Sequence, residues 1–66
     1  MIPDKDIWRA ALLMIKRYGA DGGTEAAMRA DQLLAEGDVD GCATWKRIAK
    51  AVEELQTIKP PSGRVN

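Results

Sequence analysis

Histidine is absent from this 66-residue sequence, cysteine occurs once at Cys42, and serine occurs once at Ser62. Without histidine the chain lacks the side chain that most often serves as a general base or metal ligand near neutral pH. A lone cysteine cannot close an intrachain disulfide. Net charge is also missing: ten basic residues balance ten acidic ones, which removes any global drive toward nucleic acid or acidic lipid. Long apolar runs are missing too. The longest candidate, Ala10 to Ile15, falls far short of the ~18–20 residues needed to cross a bilayer, so no membrane span is expected. Asp4, Asp6 and Arg9 stand where a signal peptide would need an uncharged apolar stretch, and a cytoplasmic location is the expectation.

The residues that are present describe a small globular domain. Apolar residues make up 45% and charged residues 30%, outside the low-hydrophobicity, high-charge range of disorder. A chain this short buries only ~60% of the surface its unfolded form exposes. One core of this size rarely supplies more than ~3–5 kcal/mol, and small proteins usually add disulfides, a metal or a partner. With no histidine and one cysteine, association is the expected supplement, as a homodimer or with another protein partner.

Along the chain, Pro3 suits the first turn of a helix, and Asp4 and Asp6 favour the positive end of its dipole. Ile7, Trp8, Ala11, Leu12, Met14, Ile15 and Tyr18 recur at helical spacing, and Gly19 is placed to stop the helix. The paired Gly22-Gly23 favours a turn, after which Ala26, Ala27, Ala30, Leu33 and Leu34 mark a second amphipathic helix ending at Gly37. Asp38 is a good N-cap for a third helix through Cys42, Trp45, Ile48, Ala49, Val52 and Leu55. About two residues join the second and third helices, which forces an antiparallel hairpin. The pattern therefore predicts an all-α, compact three-helix domain, with helices near 4–18, 22–36 and 39–57. A single domain spans 1–59, and residues 60–66, starting at Pro60-Pro61, read as a flexible tail. Trp8, Leu12, Ile15, Leu33, Leu34, Trp45, Ile48, Val52 and Leu55 form the expected core.

Several local patterns invite a chemical reading. Glu36 to Gly41 places oxygen ligands and a glycine as the start of a calcium-binding EF-hand loop does. Position 12 of that loop needs a bidentate glutamate and holds Arg47, so capping by Asp38 is the better reading and no metal is expected. Cys42 lies in the first turn of a helix, where a thiolate is favoured. It has no histidine as base and shares the apolar face with Trp45 and Ala49, so it reads as a buried structural thiol. The carboxylate pairs Asp38 with Asp40 and Glu53 with Glu54 have no evident cleft to shift their acidity, as general acid and base work requires. No catalytic residue and no cofactor are expected, and the protein reads as no enzyme.

Two surfaces remain. Lys46, Arg47 and Lys50 form a basic strip on the third helix, possible nucleic-acid contacts that Lys16, Arg17 and Lys59 could extend. Glu53 and Glu54 interrupt the strip, the turn is shorter than a helix-turn-helix prefers, and net charge is zero, so nucleic acid is the weaker reading. Ile7, Ala10, Leu13 and Met14 widen the apolar face of the first helix beyond what two small neighbours can cover, which marks a partner surface. Charge is also segregated: residues 21–41 carry six acidic groups and one basic, between two segments of basic excess.

Pro3-Asp4 with Ile7-Trp8 and Ala11, then Lys16-Arg17-Tyr18-Gly19 with Asp21, then Arg29-Ala30-Asp31 with Leu33-Leu34, and finally Gly37-Asp38, Gly41, Ala43-Thr44-Trp45 and Ile48 carry a resemblance over nearly the whole chain. In these features it resembles a group of short uncharacterised proteobacterial proteins, a domain of unknown function. Gly22-Gly23 departs from that pattern, which has helix-forming residues after the aspartate. The resemblance implies a compact all-helical fold and no assigned activity. Together with the residues it points to a small intracellular interaction or regulatory module, with a nucleic-acid-associated regulator as the alternative.

Overall fold

Helical periodicity over 4–18 is realised, and the helix does not give way to a loop at its end. In the computed structural model, which describes residues 3–58, an α-helix over Asp4–Tyr18 passes through one 3-10 turn, Gly19–Asp21, directly into an α-helix over Gly22–Ala35. This is one bent helical stretch with a first arm and a second arm. After three residues the chain forms a second helix, Val39–Ile58. The expectation of three helices is therefore overturned: the described chain is all-α and built from two. Lys59 and the expected tail at 60–66 lie outside the described residues.

The reason lies in the glycines. Gly19 adopts φ +58°, a conformation that a Cβ disfavours, and bends the stretch while its N–H still donates to the Ile15 carbonyl. Gly22 is helical, with φ −55° and ψ −43°. A Cβ built there would meet the Met14 carbonyl oxygen at 3.2 Å, so the missing side chain permits the second arm to start against the last turn of the first. The Gly22-Gly23 pair that suggested a turn is instead a site of close approach. Gln56 then donates to the Gly19 carbonyl at 3.0 Å, which ties the bend to the far end of the Val39–Ile58 helix.

At the other break the connection is as short as a helix pair allows. The Asp38 N–H donates to the Leu33 carbonyl at 2.8 Å and the Gly37 N–H to the Leu34 carbonyl at 3.0 Å, a Schellman ending with Gly37 at φ +85°. Asp38 then caps the next helix, its carboxylate accepting from the Gly41 N–H at 2.8 Å. Gly41 leaves room for that carboxylate, since a Cβ would fall 2.5 Å from it. One residue thus closes one helix and opens the next, and the second arm packs along the Val39–Ile58 helix more extensively than any other pair of elements.

Half of the enclosed apolar residues are alanine. Ile7, Ala11, Ala26, Ala30, Cys42, Ile48, Ala51 and Val52 are buried, and Ile15, Trp45 and Leu55 are half-buried against them. Of the residues expected in the core, Ile48 and Val52 are enclosed, and Leu33 is half-buried. Trp8, Leu12 and Leu34 are exposed, Leu12 by 57% and Leu34 by 51%. Complete burial of an aliphatic side chain contributes ~1.5–3 kcal/mol and an alanine methyl much less, so Ile7, Ile48 and Val52 carry most of the apolar stabilisation.

The two adjacent glycines should respond oppositely to the same change. Gly22→Ala should destabilise by about 1–3 kcal/mol, because its methyl meets backbone that must shift. Gly23→Ala, whose Cβ would sit 3.7 Å from Val52 in ordinary contact, should be neutral or stabilise by up to ~1 kcal/mol. Urea denaturation midpoints of the two variants measure this directly. An equal loss in both would overturn the account of the bend.

Candidate groove between the arms

Because the bend sets the first arm at an angle to the second, a groove of about 440 Å³ opens between them. Met14 and Tyr18 enter it from the first arm, Met28 from the second, and Trp45 from the Val39–Ile58 helix. Met14 and Tyr18 are four residues apart and thus lie one above the other on one helical face. Met28 is 58% exposed and Tyr18 42%, so the apolar lining is open to solvent, while Trp45 is half-buried.

Charge is placed on this lining without being used up. Arg17, Glu25, Arg29 and Gln32 complete the walls. The Arg29 guanidinium lies 5.4 Å from the centre of the Trp45 ring, a cation–π stack that holds the cation over the groove. Glu25 precedes Arg29 by one helical turn, yet among the described residues the two form no ion pair, and Arg17 also has none. The groove therefore presents two guanidinium groups and one carboxylate beside two methionines and two aromatics. Trp, Tyr, Met and Arg are the side chains enriched where proteins bind each other.

The residues expected to form a partner surface divide. Ile7 is 4% exposed and belongs to the core. Ala10 is half-buried, Met14 lines the groove, and Leu13, one turn before Arg17, is 54% exposed and does not line the groove itself. Trp8 and Leu12 share a different face of that arm, among Lys5, Arg9 and Lys16. The expected nucleic-acid strip is dispersed. Arg47 pairs with Asp4 and so fastens the first arm to the Val39–Ile58 helix. Lys46 and Lys50 line a shallow depression that also holds Asp31 and Glu53, where phosphate would meet carboxylates. Met28, Arg29 and Gln32 were not singled out by sequence; their helical spacing is visible, but only the bend brings them opposite Met14 and Tyr18.

Cys42 is 4% exposed and Asp38 is engaged as a cap. Among the described residues no three Asp, Glu, His or Cys side chains are grouped to hold a metal ion, and no helix is long and apolar enough to cross a membrane.

With Arg47 engaged and Lys46 and Lys50 beside carboxylates, random duplex DNA should show no retardation in a gel at low salt, even at high protein concentration. A shift abolished by Lys46→Ala together with Lys50→Ala would establish the strip as a nucleic-acid contact. A family model described as "Family of unknown function (DUF6961)" matches residues 3–59. No curated protein and no solved structure matches the chain.

Proposed function

The chain belongs to DUF6961, a family of unknown function, and from that premise we propose that it is a non-catalytic protein-interaction module that docks a partner in the groove between its two arms. The observation that carries this reading is the convergence of Met14, Tyr18, Met28 and Trp45 with Arg17 and Arg29 on one open concave surface. Methionine supports it because an unbranched, polarizable side chain adapts to different partner surfaces. Leu13, exposed one turn before the groove-lining Arg17, adds apolar surface next to the groove.

The absence of histidine and the burial of the lone thiol leave little material for nucleophilic or acid–base chemistry, which supports the non-catalytic part of the reading. A cytoplasmic setting accords with that lone thiol. The core supports the need for a partner: a fold in which four of eight enclosed apolar residues are alanine has little apolar stabilisation of its own, and a bound partner adds to it by mass action.

A photo-crosslinking residue placed at Met28 should give a discrete adduct in cells, and a Leu13→Asp substitution in the same chain should reduce that adduct. A crosslinker at Thr57, on the exposed end of the Val39–Ile58 helix, serves as the control. Adducts of the same mass and yield at Met28 and Thr57, or none at Met28, would refute docking in the groove.

A further inference from the structure

Glu25, Met28, Arg29 and Gln32 line the groove from the second arm, and Glu36, the residue that caps the arm's C-terminus, continues their stripe one turn beyond Gln32. The stripe's charges do not repeat evenly. Arg29 lies three residues before Gln32 and Glu36 four after it, so the middle of the stripe is positive on one side of Gln32 and negative on the other. Such a stripe is complementary to itself when a second copy is turned end for end about a two-fold axis at Gln32. In that arrangement each Arg29 comes within one position of the other copy's Glu36, and the Glu36 end of each stripe lies over the Met28 end of the other copy's groove.

Resting on the docking reading above, we propose that the groove's occupant is the second arm of another copy of this chain, in a two-fold dimer held by reciprocal Arg29–Glu36 pairs. Three observations favour a second copy over a different partner. Arg29 is held over Trp45 at 5.4 Å and, among the described residues, has no anionic partner. Glu36 is exposed, and its carboxylate accepts a 3.4 Å hydrogen bond from the Gln32 amide one turn away, so it is available to a cation. Beyond it, Asp38 and Asp40 continue the acidic end with no lysine or arginine between Ala30 and Trp45, while Arg17 continues the basic side of the groove. The opposite choice, pairing through Trp8 and Leu12, would set Lys5, Arg9 and Lys16 of one copy against the same cations of the other, and like charges across an interface oppose association.

The reciprocity gives the dimer a specific test. Sedimentation equilibrium of the full chain should show a monomer–dimer equilibrium at micromolar concentration that weakens as salt is raised. Arg29→Glu and Glu36→Arg should each weaken dimerisation about tenfold or more, since each sets like charges together twice. The chain carrying both changes should recover to within about threefold of the original, because the swapped pair is again complementary. Helical circular dichroism of each variant separates lost association from lost folding.

A monomer at every concentration would overturn the proposal, as would a dimer indifferent to Arg29→Glu, or a double variant no tighter than the single ones. If the chain is monomeric while the crosslinker at Met28 still captures another protein, the second copy is refuted and docking in the groove stands. If the chain is monomeric and the crosslinker captures nothing, both fall.

Discussion

Where the helices of this chain meet, many of the side chains between them are small: Ala11, Ala26, Ala30 and Ala51 are buried beside Ile7, Ile48 and Val52, and a Cβ on Gly22 would fall 3.2 Å from a backbone carbonyl oxygen. Close approach is the constraint that sets everything else. The small residues leave Ile7, Ile48 and Val52 to fill the space between the helices, while Trp8, Leu12 and Leu34 lie on the outer flanks. The polar devices at the ends then hold the arrangement in register: Gln56 on the Gly19 carbonyl, Arg47 on Asp4, and Asp38 between the two helices.

The same constraint produces the groove. Large side chains excluded from the contact must lie beside it, and on one flank they gather as Met14, Tyr18, Met28 and Trp45. Their exposure is what close packing of the backbone leaves over. Arg29 lying across Trp45 shows how such a flank is made compatible with water: the cation covers part of the ring face and stays hydrated itself.

Much of the architecture was legible in the residues. Periodicity located the helical segments, and Gly37 followed by Asp38 located the break between the second arm and the Val39–Ile58 helix. The number of helices was not legible, because Gly22-Gly23 has two physical uses. A glycine pair can open a turn, or it can admit a neighbouring backbone, and only the position of the Met14 carbonyl decides between them. The core was misjudged for a related reason. Ranking apolar residues by size favours Trp8, Leu12 and Leu34, whereas alanines at Ala11, Ala26, Ala30 and Ala51 take half of the enclosed positions. For the site, Leu13 and Met14 were visible as excess apolar surface on the first arm. Their counterpart on the second arm depends on the angle at Gly19, which no local pattern encodes.

The bend at Gly19–Asp21 joins the arms through helical turns, and this makes it a different kind of joint from the one at 36–38. A loop can gain or lose a residue and let the flanking helices keep their faces. A helical joint carries rotational phase: one residue more or fewer turns the second arm by about 100° around its own axis. That rotation would carry Ala26 and Ala30 away from the core and Met28 away from Met14 in a single step. Core and groove are thus geared together, and the length of three residues between Tyr18 and Gly22 sets the alignment of both.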